Sequence, residues 1–106
     1  MGPQIATVLA ELRRRLAALY GERLIHMILF GSQARGDAEP GSDIDVLVVL
    51  RGPVDSSEEI ERTGDTVPDL SLEQGVTIAC VFISEEEFRQ RHSPLLLNVR
   101  REGVAV

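Results

Sequence analysis

The segment Asp43-Ile44-Asp45-Val46-Leu47-Val48-Val49-Leu50 constrains this chain most. After its first residues it is apolar at odd and even positions alike, and it is short and β-branched, which favours a strand. Successive side chains of a strand point to opposite faces. A strand apolar at every position must therefore be covered on both sides. A chain of 106 residues, 43% of them hydrophobic, can do this as one domain over residues 1–106, with helices packed on a sheet.

The remaining elements fit that layout. Residues 4–20 carry Ile5, Val8, Leu9, Leu12, Leu16 and Leu19 at helical spacing, with Pro3 at the start and Gly21 at the end. Leu24–Phe30 is a mostly apolar run cut off by Gly31 and reads as a buried strand. Gly31–Ser42 is a loop that encloses one helical turn at Ser32–Arg35, and Arg51–Ser57 is a second loop. Residues 57–74 are read as two short helices or as one helix and a loop. Ser57 and the acids after it suit a capped helix start, and Gly64 and Pro68 interrupt it. Val76–Ile83 is a third strand. Ser84 with Glu87 forms a capping box that opens a helix to Arg91, and Pro94 opens another that Gly103 ends. The order α-β-loop-β-α-β-α predicts an α/β (α+β) domain, a mixed β-sheet flanked by helices.

Charge narrows the partners. The chain has 11 basic residues, all arginine, against 17 acidic ones, a net charge of −6. Such a balance argues against non-specific nucleic-acid binding and against anionic membrane surfaces, both of which depend on positive charge. The longest apolar run, Ile78–Ile83, is far too short to span a bilayer, and the N-terminus lacks the layout of a signal peptide. With one cysteine, Cys80, no disulfide within the chain and no cysteine-based zinc cluster can form. A cytoplasmic protein is expected. Cys80 is expected in the core, and His26 and His92 have no second ligand at metal spacing.

Chemistry is concentrated in Gly31–Asp45. Asp43 and Asp45 lie two apart at the start of a strand, so both point to one face while Ile44 and Val46 point to the other. Two such carboxylates repel unless a cation sits between them. A hard ion such as Mg²⁺ takes one or two carboxylates and otherwise prefers water and phosphate oxygens. Gly31 lets the backbone turn sharply and approach a ligand. Ser32 opens a helical turn whose N–H groups favour an anion. Arg35 adds a positive fork beside it, or else pairs with Asp37 or Glu39.

Gly31-Ser32-Gln33-Ala34-Arg35-Gly36 followed by Ser42-Asp43-Ile44-Asp45 resembles the nucleotidyltransferase signature. In that signature Gly-Ser is followed ten residues later by Asp-x-Asp. Motif and length together resemble the minimal nucleotidyltransferases (MNT) of the DNA polymerase β-like superfamily. The resemblance implies that superfamily's fold. It implies that Gly31 and Ser32 hold the phosphates of a nucleoside triphosphate, with ATP expected and Arg35 close by. It implies that Asp43 and Asp45 are catalytic and ligate Mg²⁺, and that AMP is transferred to a hydroxyl. It further implies a HEPN-domain partner, with the chain acting as the antitoxin of a toxin–antitoxin system. A homo-oligomer is left open.

The same resemblance calls for a third carboxylate on a later strand, and Val76–Ile83 contains no acid. Its matching face shows Thr77 or Ala79. Asp69 and Glu73 precede Val76 by seven and three residues. At about 3.3 Å per extended residue even Glu73 falls roughly 10 Å short, so neither is expected to ligate metal. The alternative is a catalytically weak nucleotide-binding module that regulates a partner by contact.

Overall fold

The computed structural model describes residues 2–106. Helix α1 (Pro3–Tyr20) runs through a 3-10 turn (Gly21–Arg23) into β1 (Leu24–Phe30). A single helical turn, α2 (Ser32–Arg35), and a loop then lead to β2 (Ile44–Leu50). Two short helices, α3 (Ser56–Arg62) and α4 (Thr66–Gln74), precede β3 (Ile78–Ser84), and α5 (Glu85–Gln90), α6 (Pro94–Glu102) and β4 (Val104–Ala105) follow.

Local chemistry accounts for most boundaries. The ambiguous stretch 57–74 resolves into two helices, and the cap of the first is Asp55 rather than Ser57. The Asp55 carboxylate accepts the N–H groups of Ser57 and Glu58 at 2.9 and 3.2 Å. Pro68 falls in the first turn of α4, where its missing N–H costs nothing. Ser84 accepts the Glu87 N–H at 3.1 Å and Ser93 accepts that of Leu96 at 3.3 Å, so α5 and α6 begin at capping serines. Two strand starts differ from the expectation. β2 starts at Ile44, which leaves Asp43 in the loop, and β3 starts at Ile78 rather than Val76.

The four strands form one mixed sheet in the order β3-β2-β1-β4. β1 runs antiparallel to β2 and β4, and β2 runs parallel to β3. Its two faces build two cores. Ile44, Val46, Val48 and Leu50 join Met27, Leu29, Ile78 and Phe82 under Val8, Leu9, Leu12 and Leu16 of α1 and Leu70 of α4. Leu47 and Val49 face the other way, with Ile83, against Leu96 and Val99 of α6. Of the three adjacent leucines, Leu96 is in that core and Leu97 is 52% exposed. Cys80 is partly buried against the first core, which pushes its thiol up to about 12.

One acid is deep inside. Glu59 of α3 is 2% exposed and accepts the Tyr20 hydroxyl at 2.7 Å and Arg62 Nη1 at 2.5 Å, with Arg23 at 3.8 Å. A buried carboxylate is tolerable only with such partners, and the cluster fastens α3 to the end of α1.

At the end of α6, Gly103 leaves no room for a side chain. A Cβ there would meet the Val99 carbonyl oxygen and lie 2.6 Å from Ile28 Cγ2. That closeness lets Val104 and Ala105 pair with Leu29 and Ile28. Gly103→Ala is expected to cost about 1–3 kcal/mol by overpacking, read as a lowered midpoint in urea unfolding; an unchanged midpoint would mean that α6 can shift off β1 freely.

Candidate functional site

The site forms where β1 ends and β2 begins. Phe30 is paired with Asp45 across the two strands, and the next residue, Gly31, has φ +76. A Cβ on Gly31 would stand 2.5 Å from Asp45 Oδ2. Glycine is thus demanded twice, by the left-handed backbone and by the carboxylate lying against it. The Gly31 carbonyl accepts the N–H groups of Ala34 and Arg35, both at 3.1 Å. The N–H groups of Ser32 and Gln33 precede these first helical bonds. Gly36, with φ +83, closes the turn on the Ser32 carbonyl at 3.0 Å.

Asp45 shares its strand face with Leu47 and Val49, opposite the buried Ile44 and Val46. It is half-buried, whereas Asp43, one residue ahead of the strand, is exposed. Burial pushes the Asp45 carboxyl above the usual range, the neighbouring Asp43 charge pushes it the same way, and Arg35 opposes both. Arg35 itself is engaged by Asp37 (Nε to Oδ2, 3.2 Å) and by Glu102 at the end of α6 (Nη1 to Oε2, 3.3 Å). Asp37 was a foreseeable partner and Glu39 does not take part. Glu102 is 67 positions away and carried no signal in the sequence.

The parallel register sets what lies beside the pair. Asp45 is opposite Ala79 on β3, and the Ile44 N–H donates to the Thr77 carbonyl at 2.8 Å, so Thr77 comes alongside Asp43. The adjoining strand therefore offers a threonine and an alanine. Glu73 is turned away in a double hydrogen bond with Arg15 at 2.7 and 3.1 Å, which lowers its carboxyl. Among the described residues no three acidic, histidine or cysteine side chains gather as a metal cluster, so Asp69 and Glu73 stay out. His26 stacks at a tilt on Phe88 instead.

The donor set suits a divalent cation. It offers two hard carboxylates, one of them strained by burial and by its neighbour, and leaves the remaining positions for water and phosphate, as Mg²⁺ prefers. Behind the loop, a cavity of about 560 Å³ is lined by Gln33, Ser42 and Thr77 together with Gln4, Ile5 and Val76. The sequence offered no reason to single out Ser42 or Gln33 here, beyond their places in the motif.

The raised Asp45 carboxyl has a stability consequence. A carboxyl with a folded value above its unfolded one binds its proton more tightly when folded, so its charged form costs stability at neutral pH. The cost disappears as pH falls below the ordinary aspartate value, roughly 4. Asp45→Asn is therefore expected to stabilise the fold at pH 7, read as a raised thermal midpoint, by less than about 1 kcal/mol because the site is partly solvated. The gain should fade below pH ~4; a lowered midpoint at pH 7 would contradict the strained carboxylate.

Comparison with known proteins agrees with this geometry. Residues 9–102 match the family described as Nucleotidyltransferase domain. The Methanocaldococcus jannaschii protein named "Putative protein adenylyltransferase MJ0604" is 41% identical over 81 residues, covering 76% of this chain and 75% of that protein. Among solved structures, a toxin–antitoxin complex with AMP-PNP superposes with a TM-score of 0.64 at 21% identity, over 93% of this chain and 69% of that one. Spectinomycin adenyltransferase AAD(9) from Enterococcus faecialis, with ATP and spectinomycin, gives 0.67 at 22% identity over 84% of this chain and 38% of that one. At such identities these likenesses concern the fold, a mixed four-stranded sheet with six helices. With its Gly-Ser turn set against the Asp-x-Asp step that leads into β2 and a family match over most of its length, the chain belongs to the nucleotidyltransferase domain family.

Proposed function

We propose that residues 1–106 form one Mg²⁺-dependent nucleotidyltransferase domain that moves AMP from ATP to a hydroxyl on a HEPN-domain protein, as the antitoxin of a cytoplasmic pair. The observation that supports the reading is the close approach of the Gly31 backbone to Asp45, where a Cβ would stand 2.5 Å from Oδ2, with a helical turn opening at Ser32. Support for the nucleotide and the partner comes from the relatives. Curated ones bear the name of protein adenylyltransferase. Structural neighbours include toxin–antitoxin complexes, one with AMP-PNP and one between a tri-AMPylated HEPN toxin and an MNT antitoxin.

In this reading the Ser32 and Gln33 N–H groups and the Ser32 hydroxyl bind the triphosphate, and Arg35 exchanges part of its bonding with Asp37 and Glu102 for phosphate oxygens. Asp43 and Asp45 hold Mg²⁺, which when bound neutralises charge on the entering and leaving oxygens. The acceptor oxygen bonds to the α-phosphorus, the bond to the bridging oxygen breaks, and pyrophosphate leaves; the hydroxyl proton passes to solvent or to a base on the partner. Thr77 and Ala79 cannot take that proton, because neither carries a basic group.

That last point favours a second reading, a nucleotide-binding module with weak chemistry that regulates its partner by contact. The two separate in one experiment. Incubation with α-labelled ATP, Mg²⁺ and a HEPN-domain protein encoded beside this chain is expected to label the partner, with slow or undetectable turnover by this chain alone. A tight complex that stays unlabelled would select the second reading.

Two substitutions test the site itself. Asp43→Asn with Asp45→Asn is expected to abolish Mg²⁺-dependent ATP binding while the fold persists, as read by calorimetric titration and circular dichroism; unchanged affinity would place the metal elsewhere. Ser32→Ala is expected to weaken ATP binding by about 1–2 kcal/mol, the size of one charge-assisted hydrogen bond; full affinity in this variant would move the phosphate cradle off Ser32.

A further inference from the structure

Gln33 lies inside the Gly31–Gly36 segment, and the functional reading gives its side chain no task. Its Nε2 donates to the Ser42 carbonyl at 3.4 Å. Among the described residues this is the sole hydrogen bond joining residues 38–43 to any residue outside them. The other bond in that stretch, Ser42 N–H to the Glu39 carbonyl at 3.0 Å, is spent within it. The stretch contains Pro40, which has no N–H, and Gly41, with φ +85, so the backbone has little else to hold it. The hydrogen-bonded ladder begins one residue too late for Asp43, at the Ile44 N–H.

Asp43 and Asp45 are therefore held by different means. Asp45 is fixed by strand register on both sides, opposite Phe30 and Ala79. Asp43 is fixed by its link to Ile44 and by a loop tied down at Ser42. The anchor of the tie is firm, because Ala34, next to Gln33 in α2, packs against the main core.

We infer that Gln33 is a positioning residue for Asp43: by bonding the Ser42 carbonyl it sets the spacing of the two carboxylates and so the affinity of the site for a divalent cation. The inference rests on the proposed metal role of Asp43 and Asp45. The Gln33 side chain touches neither cation nor nucleotide in this role, and its backbone N–H is kept in any side-chain variant, so loss of the side chain should show in metal binding and not in metal-free nucleotide binding.

The test is a titration of the full chain with Mn²⁺ in the presence of a non-hydrolysable ATP analogue, followed by the paramagnetic resonance signal of free Mn²⁺. Gln33→Met keeps length and bulk but has no donor. It is expected to weaken Mn²⁺ binding about three- to fivefold, the size of one neutral hydrogen bond. The thermal midpoint and the affinity for the analogue without metal should stay unchanged, and amide hydrogen exchange over residues 38–43 should speed up. Gln33→Ala, which adds no bulk, is expected to behave alike and guards against misfolding of the first variant. In an Asp43→Asn background, Gln33→Met should cause no further loss.

Unchanged Mn²⁺ affinity in both Gln33 variants, where Asp43→Asn weakens it, would overturn this inference and leave the proposed metal site standing. An equal loss in the Asp43→Asn background, or an equal loss of metal-free nucleotide binding, would overturn it as well. Mn²⁺ binding indifferent to Asp43→Asn and Asp45→Asn together would instead bring down the metal reading, and this inference with it.

Discussion

The register of β2 is the constraint on which the rest depends. This strand is paired on both edges, antiparallel to β1 and parallel to β3, and buried on both faces from Val46 to Leu50. A shift of one residue would exchange its faces, sending Asp45 into the core beneath α1 and Ile44 toward the site. The apolar demand of two cores forbids that shift. The positions of Asp45 beside Gly31, of Ala79 beside Asp45 and of Thr77 alongside Asp43 all follow from the one register.

The proposed site lies where the covering layer gives out. At the Leu50 end, β2 is sealed by helices on both faces; at the Ile44 end, the face that carries Asp45 is only partly covered, and Phe30 and Ala79 are half-buried there. A carboxylate placed at that margin is desolvated enough to be strained and open enough to meet a ligand. Arg35 moderates the strain without neutralising it, because Asp37 and Glu102 share its charge. The elsewhere acidic chain spends most of its arginines in similar internal pairs, such as Arg15 with Glu11 and Glu73 and Arg62 with Glu59. With Thr77 and Ala79 on the facing stretch of β3, the proposed site has the two carboxylates Asp43 and Asp45. In the function proposed above, a nucleotide and a partner would complete it.

How far the sequence reads can be judged at particular residues. The Gly31–Gly36 turn and the Asp-x-Asp step are local features whose chemistry requires those residue types at that spacing, so they stood out directly. So did the capping serines at 84 and 93, since a cap is made within four residues. The threonine and alanine facing the pair were visible as candidates, and register selected their partners. By contrast, the two-residue strand β4 has no pattern of its own. It exists because Gly103 lets α6 approach Ile28 and because β1 has an unpaired edge there.

The sequence by itself determined the layered α/β architecture, the family and the residues of the turn and the acidic pair, because periodicity, capping and motif spacing act over a few neighbouring positions. Tertiary structure decided the start of β2 after Asp43, the capture of Arg35 by Glu102, the burial of Glu59 against Tyr20, and the tie from Gln33 to Ser42. Each of these depends on where two distant or loosely connected segments come to lie. That position is set by the packing of whole elements on the sheet, which no short stretch of sequence encodes.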